Sequence, residues 1–339
     1  MNRMVSALAL GFFLCLCQCD GSDDEQEEGQ GYVLTKIQSP TRNDLSSVFM
    51  VSSDDVWAVG SGGAIVHWNG SFWGLVRSRT GIDLKAVYFT DRSNGWAVGR
   101  DGVILRYQNY DWHSYSYPTA EWLTSICFNS YADGWIAGSN GVTIHYNGTD
   151  WKEAGSSIKD WINDLSCISG GDLWAIGSLY EYDGTAEHHY RDLLHYVNND
   201  WQIVKRNEDH LEFSGIAFFS NNFGKLLAMY QHGGICYGTN ILKYNGNRLI
   251  VEKKIGFNLE DLHCNSPDDC WAAGNSDITR AIVHYDGDNW NVILGEKCRE
   301  CQCTGYPINY HTFLSVHSIS SNEAWVVGTD GKIFHIERR

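Results

Sequence analysis

A short motif, W-A-V-G or a close variant, recurs along most of the chain and sets the strongest limit on its fold. The copies are VWAVG (56–60), GWAVG (95–99), GWIAG (134–138), LWAIG (173–177), CWAAG (270–274) and AWVVG (324–328), with KLLAM (225–229) as a degenerate seventh. The first four tryptophans, Trp57, Trp96, Trp135 and Trp174, are each 39 residues apart. A repeat of this length with four short strand signals is typical of one propeller blade.

Each complete copy contains four short apolar runs, which in the first copy are LSSVFM, VWAVG, AIVHW and FWGLV. Turn-forming Asp, Asn, Ser and Gly separate them. The last copy stops at Arg339 without its fourth run, whereas YVLTKI (32–37) precedes the first copy without partners. The sequence therefore predicts an all-β fold: a seven-bladed β-propeller over 32–339 with four-stranded antiparallel blades, the N-terminal strand closing the last blade.

The repeat L-x-x-V-x-F followed by G-W-A-V-G-x-x-G-x-I resembles the seven-bladed BNR-repeat propellers related to photosystem II assembly and stability factors. The resemblance covers 32–339. Members of that group hold a partner protein as assembly chaperones, so it implies a non-enzymatic binding or assembly scaffold. The chain departs from the pattern because YNGTDW (146–151) is only a fragment of the Asp-box S-x-D-x-G-x-T-W. It also lacks the basic surface patch expected of the photosynthetic members.

The N-terminus has the pattern of an export signal. Arg3 precedes the apolar run MVSALALGFFLCLC, which is too short to span a membrane stably, and an acidic stretch follows. LCQC (16–19) resembles the lipobox of bacterial lipoproteins, although that family usually has a small residue where Gln18 stands. We predict a signal peptide over 1–19, lipidation of Cys19, and an acidic disordered tether over 20–31. Modification of Cys15 or Cys17 instead, or ordinary secretion, are the alternatives to this membrane-anchored lipoprotein.

The net charge is -16, which disfavours binding to a phosphate backbone, so we expect no nucleic-acid partner. The sequence predicts a monomer without a cofactor that binds a protein or a glycan. The membrane would be contacted only through the lipid anchor.

Loop lengths predict which face binds. The third and fourth strands keep a constant spacing, but the second-to-third spacing varies from ten residues to the 21 between Trp174 and His195. The connections between blades also vary. In a propeller both variable sets open on one face, which we call the loop-rich face; the other is the short-loop face. Loops on a rigid scaffold usually carry binding residues, so the loop-rich face is the predicted site.

One position on that face, thirteen residues before each second-strand marker, carries the candidate ligand-binding residues. It holds Asp44, Asp83, Trp122, Trp161, Ser214 and Asn258, with the seventh near Thr312 and Phe313. Aromatic rings beside carboxylate and amide groups suit a sugar, so Trp122, Trp161, Asp44, Asp83 and Asn258 are predicted to line a site. Alternatively, the two tryptophans only cover a blade junction.

A second alternative is a glycoside hydrolase or sialidase-like enzyme that uses the carboxylates at the propeller mouth. No arginine column that could hold a substrate carboxylate is visible, so no catalytic residue is assigned.

The other repeated tryptophans are predicted to pack between blades, at the marker and at the fourth-strand position (Trp73, Trp112, Trp151, Trp201 and Trp290). The recurring polar residues of the third strand are predicted to be structural hydrogen-bonding groups. They are His67, Arg106, His145, His195, Lys243, His284 and His335.

The insertion SLYEYDGTAEHHYRD (178–192) contains Glu187, His188, His189 and Asp192, which are possible metal ligands. Adjacent histidines on an exposed loop are more often solvated, so no metal is predicted.

Export predicts oxidised cysteines. Cys264 and Cys270 flank NSPDD and suit a bridge across one turn. Cys236, Cys298, Cys301 and Cys303 form a set on the loop-rich face that suits two disulfides, with a structural zinc as the alternative in a reducing compartment. Cys127 and Cys167 are either a pair or free thiols of the core.

Overall fold

Seven antiparallel sheets form a ring around a central channel, so the predicted seven-bladed propeller is confirmed. The computed structural model describes residues 26–29, 31–168, 171–182, 184–207, 211–232, 236–275, 280–295 and 313–339. None of the helices in these ranges is long and apolar enough to cross a membrane.

Strands are numbered in chain order, and each blade starts at the innermost strand. Two N-terminal strands are β1 (Gln26–Gly29) and β2 (Tyr32–Ile37). Blade 1 contains β3 (Leu45–Ser52), β4 (Asp55–Gly60), β5 (Ile65–Trp68) and β6 (Trp73–Val76). Blade 2 contains β7 (Leu84–Asp91), β8 (Asn94–Gly99), β9 (Ile104–Gln108) and β10 (Asp111–Tyr115). Blade 3 contains β11 (Leu123–Ser130), β12 (Asp133–Gly138), β13 (Thr143–Tyr146) and β14 (Trp151–Glu153).

The longer strands follow in the second half. Blade 4 contains β15 (Trp161–Ile168), β16 (Asp172–Tyr182), β17 (Glu187–Val197) and β18 (Asp200–Asn207). Blade 5 contains β19 (Glu212–Ser220), β20 (Phe223–His232), β21 (Cys236–Tyr244) and β22 (Leu249–Ile255). Blade 6 contains β23 (Asn258–Ser266), β24 (Asp269–Asn275), β25 (Arg280–Tyr285) and β26 (Trp290–Leu294). Blade 7 contains β27 (Phe313–Ser320), β28 (Glu323–Gly328) and β29 (Ile333–Arg338), completed by β2. In the described ranges, four 3₁₀ turns follow second strands, at Ser61–Gly63, Arg100–Gly102, Ser139–Gly141 and Thr329–Gly331.

The N-terminal strand closes the ring as predicted. β2 pairs with β29 along its whole length, from Tyr32 opposite Arg338 to Ile37 opposite Ile333. β1 then pairs with the outer side of β2 and gives this blade a fifth strand. Regular structure therefore reaches into residues 26–29 of the segment predicted as a disordered tether. The predicted signal peptide, Cys19 and residues 20–25 lie outside the described residues.

The repeated aromatic residues form the packing between blades, as predicted. The marker tryptophans and the fourth-strand tryptophans are all at most 8% exposed. In most blades the third-strand histidine stacks on the marker tryptophan and contacts an acid at the start of the second strand. In blade 1, His67 lies 3.9 Å from the Trp57 ring, and Asp55 Oδ1 lies 2.8 Å from both His67 Nε2 and Trp57 Nε1. The recurring histidines are therefore structural.

In blade 5 the marker position is not the one predicted from KLLAM (225–229). Lys225, not Leu227, pairs with Lys243 and so occupies the marker position. Its side chain is 1% exposed, and its Nζ lies 3.9 Å from the centroid of the Tyr285 ring and 2.8 Å from Glu252 Oε2. A charged amine therefore fills the place that tryptophan fills in the other blades.

Two disulfides join described cysteines. Cys264 and Cys270 are bonded across the β23–β24 turn, as predicted, and Cys127 is bonded to Cys167. The second bridge links the innermost strands of blades 3 and 4. The predicted set of Cys236, Cys298, Cys301 and Cys303 lies outside the residues whose side chains are described.

Candidate functional site

The candidate acids at the propeller mouth are used to hold neighbouring blades together. Asp83 Oδ1 accepts a hydrogen bond of 2.8 Å from the Gly62 amide in the turn of blade 1. Asp44 Oδ1 accepts one of 2.9 Å from the Asp330 amide in the turn of blade 7. Each carboxylate therefore binds a turn of the preceding blade, which is a structural role.

Trp122 and Trp161, in contrast, come together on the loop-rich face. Their ring centroids are 5.2 Å apart with an interplanar angle of 80°, so the rings meet edge to face. The Arg100 guanidinium lies 3.8 Å over the Trp122 ring, and Arg100 Nη1 is 3.3 Å from Asp83 Oδ2. A series of contacts therefore runs from Asp83 through Arg100 and Trp122 to Trp161. Asn258 lies apart, at the start of β23 in blade 6, and its buried Oδ1 has no hydrogen-bond partner among the described residues.

The edge-to-face contact limits what the two tryptophans can bind. Arg100 covers Trp122, so the rings do not form two open parallel walls around a sugar. Among the described residues, cavities of about 510 and 520 Å³ occur elsewhere, the first lined by blade 1 and the connections on either side of it and the second in the central channel. Neither is lined by Trp122 or Trp161. Trp161, 38% exposed, is the more exposed ring of this pair, while Trp122 is half-buried.

The insertion beside Trp161 forms regular structure and not the predicted loop. β15 begins at Trp161 opposite Ser178, and β18 ends at Asn207 opposite Arg191. Beyond these pairs, residues 179–182 pair only with residues 187–190. We call these eight residues the blade 4 hairpin. Four residues a strand extend it about 13 Å past the sheet on the loop-rich face.

Arginine side chains hold the aromatic rings of the blade 4 hairpin in place. Tyr180 is 61% exposed, yet its hydroxyl oxygen accepts a hydrogen bond of 3.2 Å from Arg191 Nη2. The Arg191 guanidinium also lies 5.3 Å from the Tyr180 ring centroid. On the opposite side of the hairpin, Arg206 lies 4.3 Å over the Tyr190 ring. Tyr182, near the tip, is 69% exposed.

The four candidate metal ligands of the insertion do not converge. Asp192 is fully buried and receives hydrogen bonds from Arg206 Nε and Nη2, with a shortest distance of 2.7 Å. Glu187 and His189, near the tip, are 3.9 Å apart. Across the described ranges no group of three or more His, Cys, Asp or Glu side chains is arranged to hold a metal ion.

The Asp192 carboxylate instead belongs to a buried group beneath the hairpin. Burial and the Asp192 carboxyl raise the pKa of Asp160, and the charge of Arg206 partly opposes this shift. Asp160 is 1% exposed. The Arg206 guanidinium is held by the Asp192 carboxylate and stacks on Tyr190, so these contacts anchor the base of the blade 4 hairpin.

We call the residue thirteen positions before each marker the mouth residue. Its prediction is wrong in blade 5, because the predicted marker lies two residues after the true one. With Lys225 at the marker, the mouth residue of this blade is Glu212, not Ser214. Glu212 is exposed, and its Oε1 lies 4.0 Å from Arg191 Nη2. The spacing of Phe and Gly before the marker carried the signal, since Phe218 and Gly224 repeat the spacing of Phe89 and Gly95.

Comparisons with known proteins support the fold. No family model matches the sequence, and no curated protein matches it, so the assignment of BNR-type repeats stays a prediction. A solved structure of YCF48 bound to D1 peptide is 13% identical with a TM-score of 0.64, covering 92% of this chain and 98% of that one. YCF48 from Cyanidioschyzon merolae is 15% identical with a TM-score of 0.61, covering 90% and 98%. The WD40 domain of Neurospora crassa Pan2 is 11% identical with a TM-score of 0.64, covering 90% and 95%. At these identities the chain shares with them the propeller fold.

Proposed function

We propose that this chain is a non-enzymatic binding protein that holds a peptide segment of a partner protein against its loop-rich face. The observation that carries the proposal is the blade 4 hairpin, which presents Tyr180 and Tyr182 beside Trp161. Exposed aromatic side chains that are already fixed lose little conformational entropy on binding. Tyrosine and tryptophan are also the residues that most often dominate binding energy at interfaces.

Two further points support a peptide partner. The hairpin and its neighbours form a broad projecting surface, whereas a sugar site would need a narrow pocket lined by Trp122 and Trp161. The solved YCF48 structure holds a D1 peptide on the same fold. For this chain, a protein partner therefore takes precedence over the glycan alternative and over the enzyme alternative.

Panning of a random peptide library against the purified protein tests the proposal, with affinities then measured by fluorescence anisotropy. Tyr180→Ser and Tyr182→Ser are each expected to weaken binding about tenfold, since each removes an aromatic contact. Tyr110→Ser and Tyr131→Ser are matched controls because those tyrosines are 87% and 82% exposed in turns of the short-loop face. These controls are expected to bind as the unmodified protein does.

Equal affinities in all four variants would place the binding surface elsewhere, and failure to enrich any peptide would argue against the proposal. A glycan array run in parallel separates the alternatives. A glycan that is lost in both Trp122→Ala and Trp161→Ala would favour the sugar site.

We further propose that the protein is exported and anchored through a lipid on Cys19. The apolar run and the LCQC motif support this. Labelling with a fatty-acid analogue should mark the full-length protein and fail to mark Cys19→Ala. Labelling that persists in Cys19→Ala points to Cys15 or Cys17, and absence of labelling in both would remove the anchor.

A further inference from the structure

The central channel contains a ring of seven equivalent residues that the proposed protein-binding surface does not use. Every innermost strand has a β-bulge at the same position, two residues after the mouth residue. The bulged residues are Ser46, Lys85, Thr124, Asn163, Ser214, Glu260 and Leu314, and all seven line the channel of about 520 Å³. Bulges redirect side chains and are common next to binding sites.

Three members of the ring have structural partners. The Thr124 hydroxyl donates to the Ile162 carbonyl of the next blade, and the Ser214 hydroxyl donates to the Leu259 carbonyl at 2.6 Å. Asn163 Oδ1 accepts a hydrogen bond of 3.1 Å from the Ser178 hydroxyl. These three side chains are used within the propeller and are not free for a ligand.

The two charged members of the ring have no such partner. Within the described residues, neither Lys85 nor Glu260 makes a hydrogen bond or an ion pair, and the two are not paired with each other. The Ser46 hydroxyl is also without a partner in this part of the chain. Ionisable groups facing a cavity without partners are unusual, because a buried charge is stabilised by a partner of opposite sign.

The order of the blades places an apolar step between the two charges. Blades 6, 7, 1 and 2 follow one another around the axis and contribute Glu260, Leu314, Ser46 and Lys85 in that order. A ligand that carries an amine and a carboxylate at the two ends of a short hydrocarbon chain would match these positions. The amine would pair with Glu260, the chain would lie on Leu314, and the carboxylate would contact Ser46 and Lys85.

The channel is lined by aromatic rings farther from the loop-rich face. Four side chains, each three residues after the bulged residue of its strand, form a row of touching rings: Tyr88, Phe49, His317 and His263. Successive centroids are 4.7, 4.4 and 3.9 Å apart. Burial lowers the pKa of both histidines, so the rings are neutral near pH 7. A ligand would therefore be held at the bulge ring, between this row and the loop-rich face.

From this arrangement we propose that the channel binds a small ω-amino acid zwitterion, with its carboxylate on Lys85 and its ammonium group on Glu260. The methylene chain lies against Leu314, and the Ser46 hydroxyl donates to the carboxylate. The cavity lies in the size range of small-molecule sites. The proposal is independent of the blade 4 hairpin, so the failure of one leaves the other standing.

Isothermal titration calorimetry on the full-length protein tests the site. Glycine, β-alanine, 4-aminobutyrate and 6-aminohexanoate are titrated separately, with acetate and propylamine as single-charge controls. At least one amino acid is expected to bind saturably, and neither control should. Lys85→Met and Glu260→Gln should each weaken that binding at least about tenfold, because each leaves one ligand charge without a partner.

Lys159→Met and Glu153→Gln remove the same charges from exposed positions outside the channel and the blade 4 hairpin, and should leave binding unchanged. Thermal unfolding of each variant separates a lost site from a lost fold. The charge-swapped pair Lys85→Glu with Glu260→Lys should recover binding, since the ligand can reverse. The proposal is overturned if no amino acid titrates, or if both single variants bind as the unmodified protein does.

The pH dependence gives a second readout. Burial, with the nearby charges of Glu212 and Asp261, raises the pKa of Glu260 to about 7. The ammonium group binds the ionised carboxylate, so affinity should fall as the pH is lowered from 8 to 6. In Glu260→Gln the dependence should shrink to the share that Asp164 contributes, since burial and the charge of Asp261 raise the pKa of this channel-lining carboxyl to about 7 as well. An undiminished dependence in Glu260→Gln would exclude Glu260 as the partner of the amine.

Discussion

Gly138→Ala is expected to destabilise the propeller by about 3 kcal/mol or more, because the added methyl group has no space. A Cβ at Gly138 would lie 1.8 Å from the carbonyl oxygen of Trp122. This oxygen is main chain, held by a hydrogen bond of 2.9 Å from the Ser139 amide, so no side-chain rotation relieves the clash. The same contact explains the final glycine of the W-A-V-G motif in three other blades. Gly60, Gly99 and Gly274 would meet main-chain oxygens at 1.8, 2.0 and 2.0 Å.

Gly81→Ala is the matched control, since a Cβ there meets nothing within 4 Å. Urea denaturation of both variants beside the unmodified protein measures the effect. A Gly138→Ala protein with the same midpoint as Gly81→Ala would contradict the assigned role of the motif glycine.

Lys225→Ala is expected to cost about 3 to 5 kcal/mol of unfolding free energy, because it leaves the Glu252 carboxylate without its cation. The lysine amine lies 2.8 Å from Glu252 Oε2 and 3.9 Å from the Tyr285 ring centroid, in a position that is 1% exposed. Glu252 Oε2 also accepts a hydrogen bond of 3.1 Å from Trp290 Nε1. Loss of the amine therefore disturbs the packing of blade 5 on blade 6.

The double variant Lys225→Met with Glu252→Gln removes both charges and preserves the acceptor for Trp290. It should regain most of the stability lost in Lys225→Ala, since no unpaired charge is left. Denaturation midpoints of the two variants check this. A double variant less stable than Lys225→Ala would contradict this explanation, because stability would then depend on the ion pair itself and not on the absence of an unpaired charge.

The sequence predicted the ring because its signals are local and repeated. Marker tryptophans, turn glycines and four apolar runs recur with little change, so the blade count and the closure by β2 follow from the repeat pattern alone. Blade 5 was placed out of register because Lys225 carries no apolar signal, although its packing is equivalent. The spacing of Phe218 and Gly224 was the better guide.

The candidate site was predictable only in part. The proximity of Trp122 and Trp161 followed from their shared position, but Arg100 comes from a turn of blade 2 and its stacking depends on three-dimensional placement. The insertion was predicted as a loop because it lengthens the second-to-third spacing from ten residues to 21, while pairing of residues 179–182 with residues 187–190 makes it a hairpin. The seven bulges arise from strand register, which no single segment reveals.

Closure of the ring by β2 and β29 makes the connectivity of the propeller circular. Tyr32 and Arg338, far apart in the chain, are neighbours in one sheet, so the ring has no structural first or last blade. A cut in any turn between the third and fourth strands of a blade, for example between Asn69 and Phe72, leaves every sheet pairing possible once the old ends are joined. The break between β29 and β2 is thus one of seven comparable positions. Circularly permuted forms of this protein should fold to the same ring, with the new ends moved to a different blade.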